Sequence, residues 1–118
     1  ARSPPALWRA EKGQKKAKKA GFDWSEVSGA LDKLAEELEE LRQAAAQGTN
    51  VAEELGDLLF SAVNVSRFLG VDCEDALNQA TDKFIGRFRK VEEQAGERPM
   101  TEMTLAELDQ LWERAKET

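Results

Sequence analysis

Apolar residues in this chain recur in alternating steps of three and four, in runs that each stop at a glycine. Val27, Leu31, Leu34, Leu38, Leu41 and Ala45 form one run before Gly48, and Val51, Leu55, Leu58, Ala62, Val65 and Leu69 form the next before Gly70. Such steps line one face of an α-helix, whereas a strand would alternate at every second residue. The pattern commits the chain to an all-α fold of packed seams, of the coiled-coil or helix-bundle kind. A further run, Leu77, Ala80, Phe84, Phe88 and Val91, ends before Gly96. With 118 residues, a single domain over 1–118 is expected, large enough for a core and small enough to gain from a partner subunit.

Capping signals set the expected boundaries. Pro4 and Pro5 open a helix over residues 5–20, where a missing N–H is harmless, and Gly21 stops it. A second helix covers 25–47. Asn50 with Glu53 is an N-cap pair for a third over 51–69, and Asp72 with Asp75 caps a fourth over 73–95. Thr104 and Glu107 form a capping box for a short last helix through Ala115, with Leu105, Leu108, Leu111 and Trp112 facing inward.

Composition removes several classes of function. There is no histidine, so Ser-His-Asp and Cys-His catalysis and His-ligated zinc are excluded. Chemistry must run on carboxylates, lysines and arginines. A net charge of -6 and a pI near 4.8 argue against a nucleic-acid duplex as partner. A small polyanion remains compatible if metals bridge it to the protein. The lone Cys73 cannot form an internal disulfide, which makes a reducing cytoplasm the expected setting. No apolar run approaches a membrane span and no signal-peptide pattern opens the chain. It begins at Ala1 rather than methionine, as a processed form or an excerpt of a longer protein would.

The candidate chemistry lies in residues 36–57. Glu36, Glu37 and Glu40 fall on one expected helix and Glu54 and Asp57 on the next, at spacings that share a helix face. At about 100° per residue, Glu37 sits some 80° from the seam centre with Glu40 on the same flank, whereas Glu36 points nearly opposite. Glu54 and Asp57 occupy the matching flank of their own helix. An antiparallel hairpin turning near Gly48 would gather Glu37, Glu40, Glu54 and Asp57 into one four-carboxylate cluster at the edge of the helix pair. Two carboxylates about 4 Å apart repel by roughly 4 kcal/mol at an effective dielectric near 20. Such a cluster calls for cations, protons or water to offset the repulsion, and hard divalent metals, which prefer oxygen ligands, are the natural candidates. Asn64, seven residues beyond Asp57 on the same stripe, is placed either to touch a ligand or to make a helix–helix hydrogen bond.

Two cationic groups accompany the acids. Arg9, Lys12, Lys15, Lys16, Lys18 and Lys19 make the first helix basic, either as a solvated face or as a wall that draws phosphates in. Lys83 and Arg87 stand at i, i+4, as surface charges or as phosphate donors. Gly86 between them suggests close approach by another backbone or a ligand.

Glu36-Glu37-Leu38-Glu39-Glu40 followed by Glu54-Leu55-Gly56-Asp57 resembles the MazG signature, Glu-Glu-x-x-Glu, a variable spacer, then Glu-x-x-Asp. The resemblance extends to GFDW at 21–24, EELGDLLFSAVNVSRFLG at 53–70 and KFIGRFRKVEE at 83–93. The chain looks like a single MazG domain, most similar to the C-terminal, catalytically active domain of two-domain bacterial MazG.

That resemblance implies an all-α nucleoside triphosphate pyrophosphohydrolase that uses Mg2+, with Mn2+ as substitute, to cleave NTP to NMP and pyrophosphate. It also implies a homodimer whose paired helices complete a four-helix bundle with composite sites, although a tetramer fits as well. Carried over by motif position, Glu37, Glu40, Glu54 and Asp57 are metal ligands and Glu36 a supporting carboxylate for a metal or water. Lys83 and Arg87 match the phosphate-binding pair. Trp24, Gln14, Lys15 and Trp112 correspond to places where family members contact nucleotide. Thr81 stands where relatives carry asparagine. The competing readings are a non-catalytic acidic helical dimerisation module, a dimeric dUTPase and a phosphoribosyl-ATP pyrophosphohydrolase. GFDW and VNVSRFLG favour MazG over the last two.

Overall fold

The computed structural model describes residues 5–117; Pro4, expected at the start of the first helix, lies outside them. Five α-helices follow in order: α1 Ala6–Lys19, α2 Val27–Gln47, α3 Val51–Phe68, α4 Cys73–Ala95 and α5 Leu105–Glu117, with one 3-10 turn at Met100–Glu102. There is no strand among the described residues. The chain divides between Ala76 and Leu77 into two compact units, with α4 running through the boundary.

Glycine in the left-handed region ends four segments, because an L side chain would be strained there. Gly21 (φ 93°) and Gly70 (φ 69°) show the mechanism best. Phe22 N–H donates to Ala17 O at 2.9 Å and Gly21 N–H to Lys18 O at 2.9 Å, so the last carbonyls of α1 are satisfied by the chain that leaves it. Val71 to Ser66 and Gly70 to Arg67 repeat this after α3.

The caps form as expected at two of the three predicted pairs. Asp72 Oδ1 accepts from the N–H groups of Glu74 and Asp75 at 2.9 and 3.1 Å. Thr104 Oγ1 accepts from Glu107 N–H at 3.1 Å while Glu107 Oε1 accepts from Thr104 N–H at 3.3 Å, the reciprocal capping box. Asn50 departs from expectation. It precedes α3 in the left-handed region (φ 56°) and makes no side-chain cap bond. An N-cap side chain reaches the helix N–H groups from extended backbone, so Asn50 contributes its tolerance of positive φ instead.

In the first unit, α3 packs against both α2 and α1. It is accordingly buried on two sides, at Ser61 and Val65 and, some 200° round, at Val63. The buried line of α2 is not the expected leucine seam but Ala30, Glu37 and Ala44, with Val27, Leu34 and Leu41 half-buried. Leu31 and Leu38 stay 46% and 43% exposed, and Val51, Leu55 and Leu69 of the expected α3 seam are exposed too. Small residues let two helices approach closely, and the buried positions of the hairpin are mostly small, while Leu31, Leu38 and Leu55 lie on its outer flank.

The second unit has a core of Val91, Leu111 and Ala115, against which Ala95, Met100, Met103 and Trp112 pack. Leu77, Phe84 and Phe88 of the expected α4 seam are exposed. So is Leu105, expected inward but placed at the first residue of α5, a turn short of the packed line Leu108, Leu111 and Ala115.

Candidate functional site

The α2–α3 hairpin places its acids where its geometry leaves them little choice. Gly48 turns the chain in the left-handed conformation, its N–H bonded to Ala44 O at 2.8 Å, and Asn50 O accepts the first α3 bond from Glu54 N–H. The short turn sets the register of the pair. Glu37, Glu54 and Asp57 then offer carboxylate oxygens that all lie within 4.8 Å of one another. Glu37 is only 5% exposed, Glu54 half-buried and Asp57 exposed. One oxygen each of Glu37 and Glu54, Oε2 in both cases, is buried without a hydrogen-bond partner. Glu37 therefore lies on the packed line between helices, not about 80° from it as the leucine periodicity suggested, because the seam itself is rotated toward the alanines.

Glu40 adjoins this trio. The Glu37 charge, followed by desolvation and by hydrogen bonding to Glu37 and repulsion from Glu54, pushes its carboxyl above the ordinary 4.5. Lys33, one turn before Glu37, supplies a positive charge: its Nζ lies 3.0 Å from Glu37 Oε1 and 3.5 Å from Glu36 Oε1. Bonding to Glu37 and the charge of Glu36 raise the Lys33 ammonium above its usual value. Glu36 is itself exposed and outside the trio. A carboxylate-only set with two buried, unbonded oxygens suits a hard divalent cation, which would replace the missing donors.

Beside the cluster a cavity of about 440 Å³ opens between α1, the α1–α2 connection and α3. Lys33 lines it, as do Phe22, Trp24 and Phe60, together with Gln14, Ser61 and Asn64. Gln14 is 6% exposed; its Nε2 donates to Phe60 O at 2.9 Å, and its Oε1 is buried without a partner. Because Phe60 O can only accept, the amide orientation is fixed and Oε1 remains an acceptor. Asn64 Oδ1 accepts from Arg67, and Arg67 reaches on to Asp23. An apolar, aromatic-walled space with a few fixed polar groups has the form of a small-molecule site.

Residues 18–92 match the MazG nucleotide pyrophosphohydrolase domain, well over half of the chain. The chain belongs to the MazG family. It is 46% identical over 114 residues to the nucleoside triphosphate pyrophosphohydrolase/pyrophosphatase MazG of Thermotoga maritima, covering 95% of this chain and 44% of that protein. The corresponding figures for the nucleoside triphosphate pyrophosphohydrolase of Escherichia coli are 42% over 121 residues, 98% and 46%. An uncharacterized protein, YabN of Bacillus subtilis, is 45% identical over 71 residues. The chain thus spans less than half the length of the Thermotoga maritima and Escherichia coli relatives.

The MazG match includes every acid of the signature, Trp24, Lys83 and Arg87, and it stops short of Gln14, Lys15 and Trp112. Lys15 is exposed, paired with Glu11 at 3.1 Å, and is not part of the cavity wall. In the second unit, Lys83 is exposed on α4 and the Arg87 guanidinium lies over the Trp112 ring, 5.9 Å from its centroid. Trp112 also packs on Phe84 at 5.5 Å. Thr81 spends its hydroxyl on Leu77 O of its own helix at 2.9 Å. Gly86 has nothing within 4 Å of an added Cβ among the described residues.

Lys33, Asp23 and Arg67 were not singled out by the sequence. Lys33 could have been, since it stands at i, i+4 to Glu37 and i, i+3 to Glu36. Asp23 and Arg67 fall within the GFDW and VNVSRFLG stretches, but they are 44 residues apart and nothing local pairs them.

Proposed function

We propose that this MazG domain hydrolyses nucleoside triphosphates at the α–β phosphoanhydride, releasing nucleoside monophosphate and pyrophosphate. The observation that carries the reading is that Glu37 and Glu54 each bury a carboxylate oxygen without a hydrogen-bond partner and, with Asp57, bring carboxylate oxygens within 4.8 Å of one another. Burial of such groups without partners is costly, and a divalent cation relieves the cost. Mg2+ is the proposed ion and Mn2+ its substitute, held by Glu37, Glu40, Glu54 and Asp57, with Glu36 a supporting carboxylate.

When bound, the metal supplies positive charge to the triphosphate and acidifies the attacking water. The protein's part is placement. The carboxylates fix where the phosphates sit, Lys83 and Arg87 hold phosphate oxygens through charge-assisted bonds, and the cavity takes the base against Trp24, with Gln14 and Asn64 as polar contacts. Lys15 and Trp112 are further proposed nucleotide contacts. Water attacks the α-phosphorus, the bond to the β-phosphoryl oxygen breaks, and no covalent enzyme intermediate forms. Nucleotide-pool house-cleaning in the cytoplasm is the role this chemistry suits.

The leucines left exposed on α2 and α3 support a homodimer, in which a second copy covers them. No helix among the described residues is long and apolar enough to cross a membrane. The test is a panel of canonical and modified nucleoside triphosphates with Mg2+, scored for monophosphate and pyrophosphate. Turnover lost in Glu40→Gln and Asp57→Asn supports the ligand set, and normal turnover in either removes that residue from it.

A further inference from the structure

The connection between α1 and α2 forms one wall of the cavity, through Phe22 and Trp24, yet it belongs to no helix and Phe22 is 82% exposed. Asp23, between these two aromatics, makes a bidentate ion pair across the cavity's rim to α3. Its Oδ1 lies 2.6 Å from Arg67 Nη2 and its Oδ2 3.0 Å from Nη1. The two side chains are 13% and 8% exposed. Arg67 is held in turn: its guanidinium lies 4.9 Å from the Phe68 ring centroid, and the same Nη2 donates to Asn64 Oδ1. That bond orients the Asn64 amide, which also lines the cavity.

We propose that Asp23 and Arg67 are positioning residues for the base end of the substrate: the fork fixes the aromatic wall at Phe22 and Trp24 and, through Arg67, the Asn64 amide opposite. The inference rests on the reading of the cavity as a base site. A bidentate pair suits the task because it restrains orientation as well as distance, which a lysine's point charge would not. Among the described residues neither side chain has a hydrogen bond or ion pair to the carboxylate cluster, so the pair governs how substrate is seated and leaves the hydrolytic step to others.

The deciding measurements are steady-state kinetics with Mg2+ and a nucleoside triphosphate, and amide hydrogen exchange over residues 20–26, on Asp23→Asn, Asp23→Glu and Arg67→Lys. Asp23→Asn should raise KM about tenfold, the scale of one charge-assisted hydrogen bond, with kcat within about twofold. Exchange should quicken over residues 20–26 and stay unchanged in the α2–α3 hairpin. Arg67→Lys should resemble it, and Asp23→Glu should recover much of the lost affinity. An unchanged KM, or a fall in kcat with exchange quickened throughout the chain, overturns the proposal in favour of a purely structural pair. A wild-type chain that hydrolyses no nucleoside triphosphate overturns the functional reading instead, and the exchange measurement still decides whether the pair clamps the wall.

Discussion

Glu37 of α2 and Glu54 of α3 each bury one carboxylate oxygen that no donor reaches, and both belong to a set of acids gathered within 4.8 Å. Like charges held this close weaken the fold that holds them, so the hairpin carries a built-in penalty that a bound cation would relieve.

Replacing Glu54 by glutamine should therefore stabilise the metal-free protein while disabling it. Removing one charge from the trio should contribute about 1 kcal/mol, or roughly 4 °C in Tm for a chain of this size. Thermal unfolding in EDTA, alongside pyrophosphate release with Mg2+, checks both halves. A lower Tm with unchanged turnover contradicts the site.

Magnesium should raise the wild-type Tm by mass action, by about 2.7 kcal/mol of added stability at a hundred times Kd. EDTA should reverse the shift. In Glu37→Gln the shift should shrink or vanish, and a shift of wild-type size in that variant would place the ion elsewhere.

The Asp23 pair gives a pH dependence of defined sign. The Arg67 hydrogen bond first, with Trp24 N–H and the Arg67 and Lys18 charges, holds the Asp23 carboxyl below its ordinary 3.8 despite opposing desolvation. A depressed carboxyl stabilises the fold above the unfolded value and loses that contribution as pH falls through the folded one. The Tm gap between wild type and Asp23→Asn should be flat from pH 8 to about 5 and close on acidification below 3.8. Parallel curves down to the acid limit would show that the ion pair adds nothing.

Two glycines should respond oppositely to alanine. Gly86→Ala meets open space within α4 and should stabilise by ~0.5–1 kcal/mol through helix propensity. Gly29→Ala places its Cβ 3.0 Å from Trp24 Cε3, so the ring must shift. Denaturant unfolding should show a gain for Gly86→Ala and a smaller or reversed effect for Gly29→Ala, the latter with altered tryptophan fluorescence.

Thr104→Ala removes one arm of the α5 capping box and should cost about 1 kcal/mol. Urea unfolding with an unchanged m-value would assign the loss to stability alone.

The sequence by itself determined the helices and their ends, because periodicity, glycines at positive φ and cap pairs are local and act within a turn or two. It brought Glu37, Glu54 and Asp57 together through the one short turn at Gly48, which leaves the hairpin little freedom of register. The tertiary structure decided which face of each helix is buried. Ala30, Ala44 and Ser61 permit closer approach than leucines would, and this rotated Glu37 into the seam and left Leu31 and Leu38 outside. It also decided the cavity and the Asp23–Arg67 pair, since their parts come from α1, the α1–α2 connection and α3. Residues 44 apart meet only after the helices between them have packed.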